Sequence, residues 1–487
     1  MRLGRERRGG VGTGWLAAGL GLLAWSLATA LLSTRFEYGG APGSRPTAAF
    51  VGLMMIAGAV HVAVVWLGER PVSDRRGLAW VVFVGAAMRL CMLLSTPILE
   101  DDYYRYLWDG AVTAAGANPY RYAPREVAQA ARGVAGAPFP EHLADLAERG
   151  KEVLARVNHP ELTTIYPPVA QLAFAAAHVL TPFELAGWRL VLLCGEGATL
   201  ALLLLLVRRH GGARVHLVAA YWWSPLAVKE GINSAHVDVL TVPLVLLGFF
   251  LTVQGRGIPA AAVTSLGAGV KLWPALLLVA HWHWTGRGLR WLPTFATASC
   301  GTLALVLGPF VLASMSAKAG LVAYGTRWEM NDGLFTVLVR GMALLRAAGV
   351  AVPLTDGGAA RMAVALIALA VLLWLFRKRL REAGDLFDRA ALAVAWLLLL
   401  SPTQFPWYAL WFLPLTSLRP RLSLQLLAAL LPLYYLRFQL KARGDVATFD
   451  DWLVWLETAP VIGAMVVERW RGRVYRARAL VHVGEAK

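Results

Sequence analysis

Apolar residues run through this chain in long uninterrupted blocks, separated by short polar segments rich in arginine. A block of roughly 18 or more apolar residues can cross a bilayer as a helix. Blocks that read as spanning helices cover residues 15–33, 48–67, 78–98, 166–180, 185–207, 214–228, 236–253, 259–281, 292–314, 359–376, 389–401, 406–418, 422–436 and 453–468. Several are short for a span of about 20 residues. The pattern predicts an all-α polytopic membrane protein, with one bundle over residues 1–487 in place of separate soluble domains. Two polar stretches interrupt it. Residues 99–165 form a large loop between the third and fourth runs, with Glu141–Val157 patterned as an amphipathic helix lying on the membrane. Residues 315–358 form a second loop. Within it Leu334–Val350 is apolar but carries Arg340 and Arg346, which suits an interfacial helix better than a span.

Charge orients the bundle. Only 16% of residues are charged, where a soluble domain carries about 25%, yet the net charge is +17. With no soluble basic domain to bind it, nucleic acid is excluded as a partner. The arginines collect in short loops and at both ends, as the positive-inside rule expects. Arg2, Arg5, Arg7 and Arg8 place the N-terminus in the cytoplasm. Counting crossings puts Arg70, Arg75, Arg76, Arg287, Arg290, Arg377–Arg381, Arg419, Arg421 and the tail with Arg469, Arg471, Arg473, Arg476 and Arg478 on that side, with both large loops outside. Arg208, Arg209 and Arg214 conflict with this count, unless 166–183 lies on the surface and flips it locally. The run from Trp15 to Ser33 continues past Ala28-Thr29-Ala30, so it reads as a retained first helix and not a cleaved signal. Cys91, Cys194 and Cys300 lie inside apolar runs and read as buried packing residues.

Polar residues that this pattern does not absorb fall in four places. The third run ends in Glu100-Asp101-Asp102. Carboxylates at a membrane surface are costly unless they meet a cation, a proton or a reacting hydroxyl. Adjacent aspartates point in different directions, so one can serve as a general base while the other orients it or binds a cation. A hydrated helix cap explains the same residues without chemistry. Next, Lys229, Glu230, Asn233, Ser234, His236 and Asp238 interrupt an apolar stretch, with Lys229, Asn233 and His236 at the spacing of one helix face. They suit a phosphate or sugar hydroxyls, or simply a short polar loop. Third, Lys271 is a lone cation with no carboxylate near it in sequence; a phosphate would suit it, and so would snorkelling to the surface. Gly267-Ala268-Gly269 before it lacks the spacing of a phosphate loop. Fourth, Thr163-Thr164-Ile165-Tyr166-Pro167-Pro168 and Ser401-Pro402-Thr403-Gln404-Phe405-Pro406-Trp407-Tyr408 are proline-broken and aromatic. They read either as an interfacial belt or as a surface for a sugar ring or a lipid tail. His281-Trp282-His283-Trp284 has no third ligand nearby and reads as interfacial.

These motifs, in this order, make the chain resemble the bacterial GT-C glycosyltransferases, and more narrowly the polytopic mannosyltransferases that use polyprenyl-phosphate mannose. The resemblance rests on Asp102-Tyr103-Tyr104-Arg105-Tyr106, Trp108-Asp109-Gly110, Gly116-Ala117-Asn118-Pro119-Tyr120, Ile165-Tyr166-Pro167-Pro168, Lys229-Glu230-Gly231, His236-Val237-Asp238, Lys271-Leu272-Trp273-Pro274, Ser401-Pro402-Thr403 and Trp407-Tyr408, spread over Leu99–Trp411. It implies a GT-C-like bundle with a large extracytoplasmic catalytic loop, here after three helices where many members have one. It implies inverting single displacement of a sugar, mannose first, from a polyprenyl-phosphate donor to a glycan or glycolipid acceptor outside the cytoplasmic membrane, with both termini cytoplasmic. Asp102 matches the family's base best, with Asp101 second. Arg105, Lys229, Asn233, His236, Asp238, Lys271, Tyr166, Trp407 and Tyr408 would bind the donor's phosphate and sugar. No cofactor is required on this reading, though the acidic pair leaves room for a divalent metal. A transporter or flippase of lipid-linked saccharides would use the same buried polar groups; the large acidic loop and the lack of an internal repeat favour the enzyme.

Overall fold

The computed structural model describes residues 11–40, 42–67, 75–134, 140–211, 215–286, 288–313, 319–352 and 354–484. Arg2, Arg5, Arg7, Arg8, Arg70, Arg214 and Arg287 lie outside the described residues, as does part of the 315–358 loop. Among the described residues there is no strand, only two isolated bridges, so the chain is an all-α multi-pass membrane protein. Among the described residues six helices are long and apolar enough to cross a bilayer: Thr13–Phe36, Thr47–Trp66, Arg75–Leu93, Leu185–His210, Leu292–Ala313 and Asp356–Phe376. The remaining apolar runs are shorter or broken. The runs 214–228 and 236–253 become the short helices Val215–Val218 and Ala219–Trp222, then Pro225–Asn233 and Val237–Val253, bent by 106°. Residues 406–418 become three short pieces with proline at the start of two of them. Breaks of this kind free backbone groups that must find partners inside the protein.

We label α1 (Thr13–Ser33), α2 (Thr47–Leu67), α3 (Arg75–Leu93), α4 (Asp102–Ala114), α5 (Pro124–Ala131), α6 (Glu141–Arg149), α7 (Lys151–Ala155), α8 (Pro168–Leu180) and α9 (Leu185–His210). Segment 99–165 is α4 with a small cover. The amphipathic stretch folds as α6 and α7, broken at Gly150, where a Cβ would meet the Phe183 ring at 2.3 Å. Leu143, Leu146, Val153 and Leu154 are its buried stripe. Beneath, α4 closes on α8 through Gly110, whose Cβ would meet the Phe174 carbonyl at 2.3 Å. That contact explains the Trp108-Asp109-Gly110 motif as packing.

Two ends of the bundle can be told apart. At one end Arg189, in the first turns of α9, donates to the Leu93 and Ser95 carbonyls past α3. At the other end the Arg209 guanidinium sits 5.2 Å over Phe250. The α8 helix, 13 residues long, starts against Gly269 and ends beside Gly187, and is shorter than the six spans.

Some expectations are corrected. Cys194 and Cys300 are exposed on helix faces, and Cys91 is only half-buried. His281 is fully buried between the hydroxyls of Thr252 (2.6 Å) and Thr264 (2.7 Å), not at an interface. The run 389–401 starts earlier, as Ala383–Leu400, and 453–468 continues to Gly484. Leu334–Val350 does form a helix, Gly333–Ala347, which is not among the six spans; Arg340 and Arg346 pair at its surface with Asp451 and Asp356.

Candidate active site

The chain leaves α3 through Ser95–Asp101 and is locked in place before α4 begins. Asn233 accepts from the Ile98 amide (3.0 Å) and donates to Ser95 Oγ and the Thr96 carbonyl, both at 2.7 Å. Arg189 ties the same strands together, adding the Ile232 and Asn233 carbonyls to those of Leu93 and Ser95. One buried guanidinium therefore satisfies four carbonyls that the helix breaks leave without partners. Four of the five described non-glycine residues with positive φ stand in the loops around this junction: Leu99, His159, Ala235 and Asn331. Such backbone is held only where the surroundings over-determine it.

Asp102 opens α4 with both carboxylate oxygens engaged. Asn158 Nδ2 donates to Oδ1 at 2.7 Å and the Tyr166 hydroxyl donates to Oδ2 at 3.2 Å. The same Asn158 amide reaches Asp101 Oδ1 at 3.0 Å, so one side chain sets both aspartates. Asn158 is itself held by Arg105, which donates to the carbonyls of Asn158, His159 and Leu162. Burial, reinforced by the negative charge of Asp102, pushes the Asp101 carboxyl above the ordinary carboxylate range. Burial also raises Glu100, against the pull of Lys229, and one Glu100 oxygen is buried with no hydrogen-bond partner.

Two cavities meet at Asp102. A cleft of about 50 Å³ is lined by Asp102, Tyr166, Lys271, Tyr324, Trp407 and Tyr408, among others. A chamber of about 870 Å³ opens on its other side, with Glu100, Asp101, Tyr103, Arg156 and Arg437 in its wall. Asp102, Asn158, His159, Trp328, Phe405 and Trp407 line both. In the cleft, Lys271 Nζ donates to Asp238 Oδ2 at 3.1 Å and lies 5.3 Å over the Tyr408 ring. The lone cation of the sequence thus has a carboxylate partner, and its side chain keeps 18% exposure to the cleft. Gly267-Ala268-Gly269 is a packing turn: the Gly269 carbonyl accepts from the amides of Val169 and Ala170.

The aromatic wall comes from segments far apart in sequence. Phe405 stacks on Trp407 at 4.4 Å, and Trp407 on His236 at 4.0 Å. Tyr324 links to Thr403 and Tyr408 through hydroxyl contacts of 2.6 Å each. Met330 exchanges backbone hydrogen bonds with Pro402 and Gln404, and Trp328 packs on His159 at 4.7 Å.

Asp102, Arg105, Tyr166, Lys271, Trp407 and Tyr408 line the cleft, and Asp101 the chamber. Lys229, Asn233, His236 and Asp238 have no solvent exposure and stand behind these walls. Nor do Lys229, Asn233 and His236 share a helix face. The helix widens to a π turn at 229–233 and ends, and Ala235 with φ 59° turns His236 away. Lys229 instead meets Glu230 and the Tyr435 hydroxyl, at 3.2 and 2.5 Å. Sequence reasoning missed Asn158, Tyr324, Trp328 and two of the buried arginines, Arg89 and Arg189. The arginines carried a signal, since each is a charge within an apolar run; Arg89 pairs with Glu196 at 3.0 Å. Among the described residues no group of three or more His, Cys, Asp or Glu side chains is placed to hold a metal ion.

Comparison with known proteins adds two family matches. Residues 164–402 match Glycosyltransferase family 87, and residues 7–141 match the Alpha-(1->6)-mannopyranosyltransferase N-terminal domain. The chain is also similar to Alpha-(1->6)-mannopyranosyltransferase A of Mycobacterium tuberculosis (strain ATCC 25618 / H37Rv), 25% identical over 359 residues. That alignment covers 66% of this chain and 61% of the relative, so the chain spans less than two thirds of the relative's length. No solved structure matches.

Proposed function

We propose that this chain, which belongs to the GT-C-type glycosyltransferases, moves a mannosyl group from a polyprenyl-phosphate donor to a hydroxyl of a glycan or glycolipid acceptor. The observation that carries this reading is the position of Asp102 in the wall common to two cavities. A two-substrate transfer needs a base where the two substrates meet. Lys271 in the cleft offers a cation to the leaving phosphate, with tyrosines and Trp407 beside it for the face of the sugar ring, and the adjoining chamber supplies the room that the cleft of about 50 Å³ lacks. The chamber of about 870 Å³ suits the larger acceptor.

In a single displacement the acceptor hydroxyl gives its proton to Asp102 as its oxygen bonds to the anomeric carbon. The bond from that carbon to the phosphate oxygen breaks, and its electron pair leaves with the phosphate. Attack opposite to departure inverts the configuration. Asn158 and Tyr166 hold the Asp102 carboxylate on line. The arginines at the far end of the bundle, Arg209, Arg377, Arg419 and Arg421 among them, favour a cytoplasmic location for that end and an extracytoplasmic one for the site.

Purified protein in nanodiscs, given labelled polyprenyl-phosphate mannose and a lipid extract as acceptor, tests this directly. Transfer by wild type and none by Asp102→Asn is expected. Undiminished transfer by the variant removes Asp102 as base; donor flipping without transfer replaces the enzyme reading by a transporter.

A further inference from the structure

A third cavity, of about 530 Å³, lies where the C-terminal end of helix Asp356–Phe376 meets the middle turns of Ala383–Leu400 and Val454–Gly484, away from the site. Arg361, near the start of the first of these, donates to the Trp328 carbonyl at the site. Arg377, sixteen residues on, lines the third cavity, about 24 Å away at the helical rise. The two openings therefore stand at opposite ends of the bundle.

The cavity wall holds five cations, Arg377, Lys378, Arg389, Arg421 and Arg469, against two carboxylates, Asp388 and Glu468. Both carboxylates pair with Arg421, which reaches Asp388 Oδ2 at 2.7 Å and Glu468 Oε2 at 3.1 Å, and the Ser423 amide and hydroxyl also donate to Glu468. Arg389 caps the neighbouring helix by donating to the Leu375 and Lys378 carbonyls. The wall carries a surplus of three positive charges. Trp374 holds two guanidiniums across the mouth, with Arg377 at 4.8 Å and Arg469 at 4.4 Å from its ring. Beyond the mouth the same two helices expose apolar side chains, Leu373 at 61% and Val466 at 62%. Cations inside an opening with an apolar surface running from its rim fit an anion that trails hydrocarbon.

The geometry points to this cavity as a binding site for the phosphate headgroup of an anionic phospholipid, with its acyl chains along Leu373 and Val466. Interfacial cations each favour an anionic lipid by about 1 kcal/mol. An indole ring at the mouth is the anchor expected at headgroup depth. The site is independent of the transfer reaction and stands or falls without it.

The full chain in detergent, titrated with phosphatidylglycerol, phosphatidylcholine or inorganic phosphate and read by native mass spectrometry, tests the assignment. Wild type is expected to bind phosphatidylglycerol at least about tenfold more tightly than phosphatidylcholine, and equimolar phosphate should not displace it. Arg377→Ala/Lys378→Ala/Arg469→Ala should lose that preference, while Arg132→Ala/Arg443→Ala, which removes exposed cations elsewhere, should keep it. Equal binding of the two lipids by wild type overturns the site with no variant needed. Retained preference in the triple variant overturns it as well. Displacement by equimolar phosphate assigns the cavity to free phosphate and overturns the lipid.

Discussion

Two regions of this protein are dense in charge and differ in what the charge faces. In segment 229–238, Lys229, Glu230, Asn233 and Asp238 are fully buried and bonded to one another or to neighbouring groups, and His236, whose ring nitrogens make no hydrogen bond, stacks on Trp407 with Glu230 3.4 Å away. In segment 100–102 the carboxylates face cavities, one Glu100 oxygen has no partner, and Asp102 is held by neutral donors alone. A buried charge whose partners are in place is structural: desolvation offsets most of what the pairing gains, but removing one partner strands the other and costs much. A charge aimed at open space by neutral donors is set up for a ligand or a proton. The same residue types therefore divide into scaffold and chemistry by what surrounds them.

Substitutions test that division. Asp102→Asn should lower turnover by about 10²–10⁴-fold, the usual contribution of a general base, with little change in thermal unfolding. Lys229→Met should do the reverse, destabilising by about 3–5 kcal/mol because Glu230 is left charged and buried. If instead Lys229→Met stays as stable as wild type but loses transfer, the buried segment belongs to the chemistry and the comparison fails. Asn158→Ala should reduce kcat about tenfold and shift the pH–rate profile, because both aspartates lose their common donor; Asn158→Asp should not rescue it. Lys271→Met should raise the donor KM, with Lys271→Arg restoring part of it; an unchanged KM would return Lys271 to the scaffold as partner of Asp238.

The smallest effect concerns Asp332, before helix Gly333–Ala347. Burial raises its carboxyl from 3.8 to about 6. A raised acid binds its proton more tightly when folded, so its contribution is full below pH 3.8 and is lost as pH rises through about 6. Asp332→Asn should flatten that decline, by about 1–2 kcal/mol after solvent screening, in unfolding midpoints measured from pH 4 to 7.

The apolar runs by themselves determined the class of fold, because a chain with so few charges and such long apolar blocks buries its backbone only as helices in a bilayer. They placed α1 and α2 to within two residues, α9 to within three and α3 to within five, with the acidic residues at Asp101–Asp102 just beyond α3. They did not determine where a run breaks. The polar residues at 229–236 look like a helix stripe until Ala235 turns the chain, and that turn depends on Arg189 and Asn233 bonding to a segment more than 130 positions away in the case of Asn233 and Thr96. The pairing of Lys271 with Asp238 and the meeting of Asn158, Tyr324, Trp328 and Trp407 around Asp102 were likewise decided only in the tertiary structure. Helix period and hydropathy act within about 20 residues along the chain. Which charge is satisfied and which one faces a cavity depends on side chains brought together from six or more separate segments, and no local pattern records that.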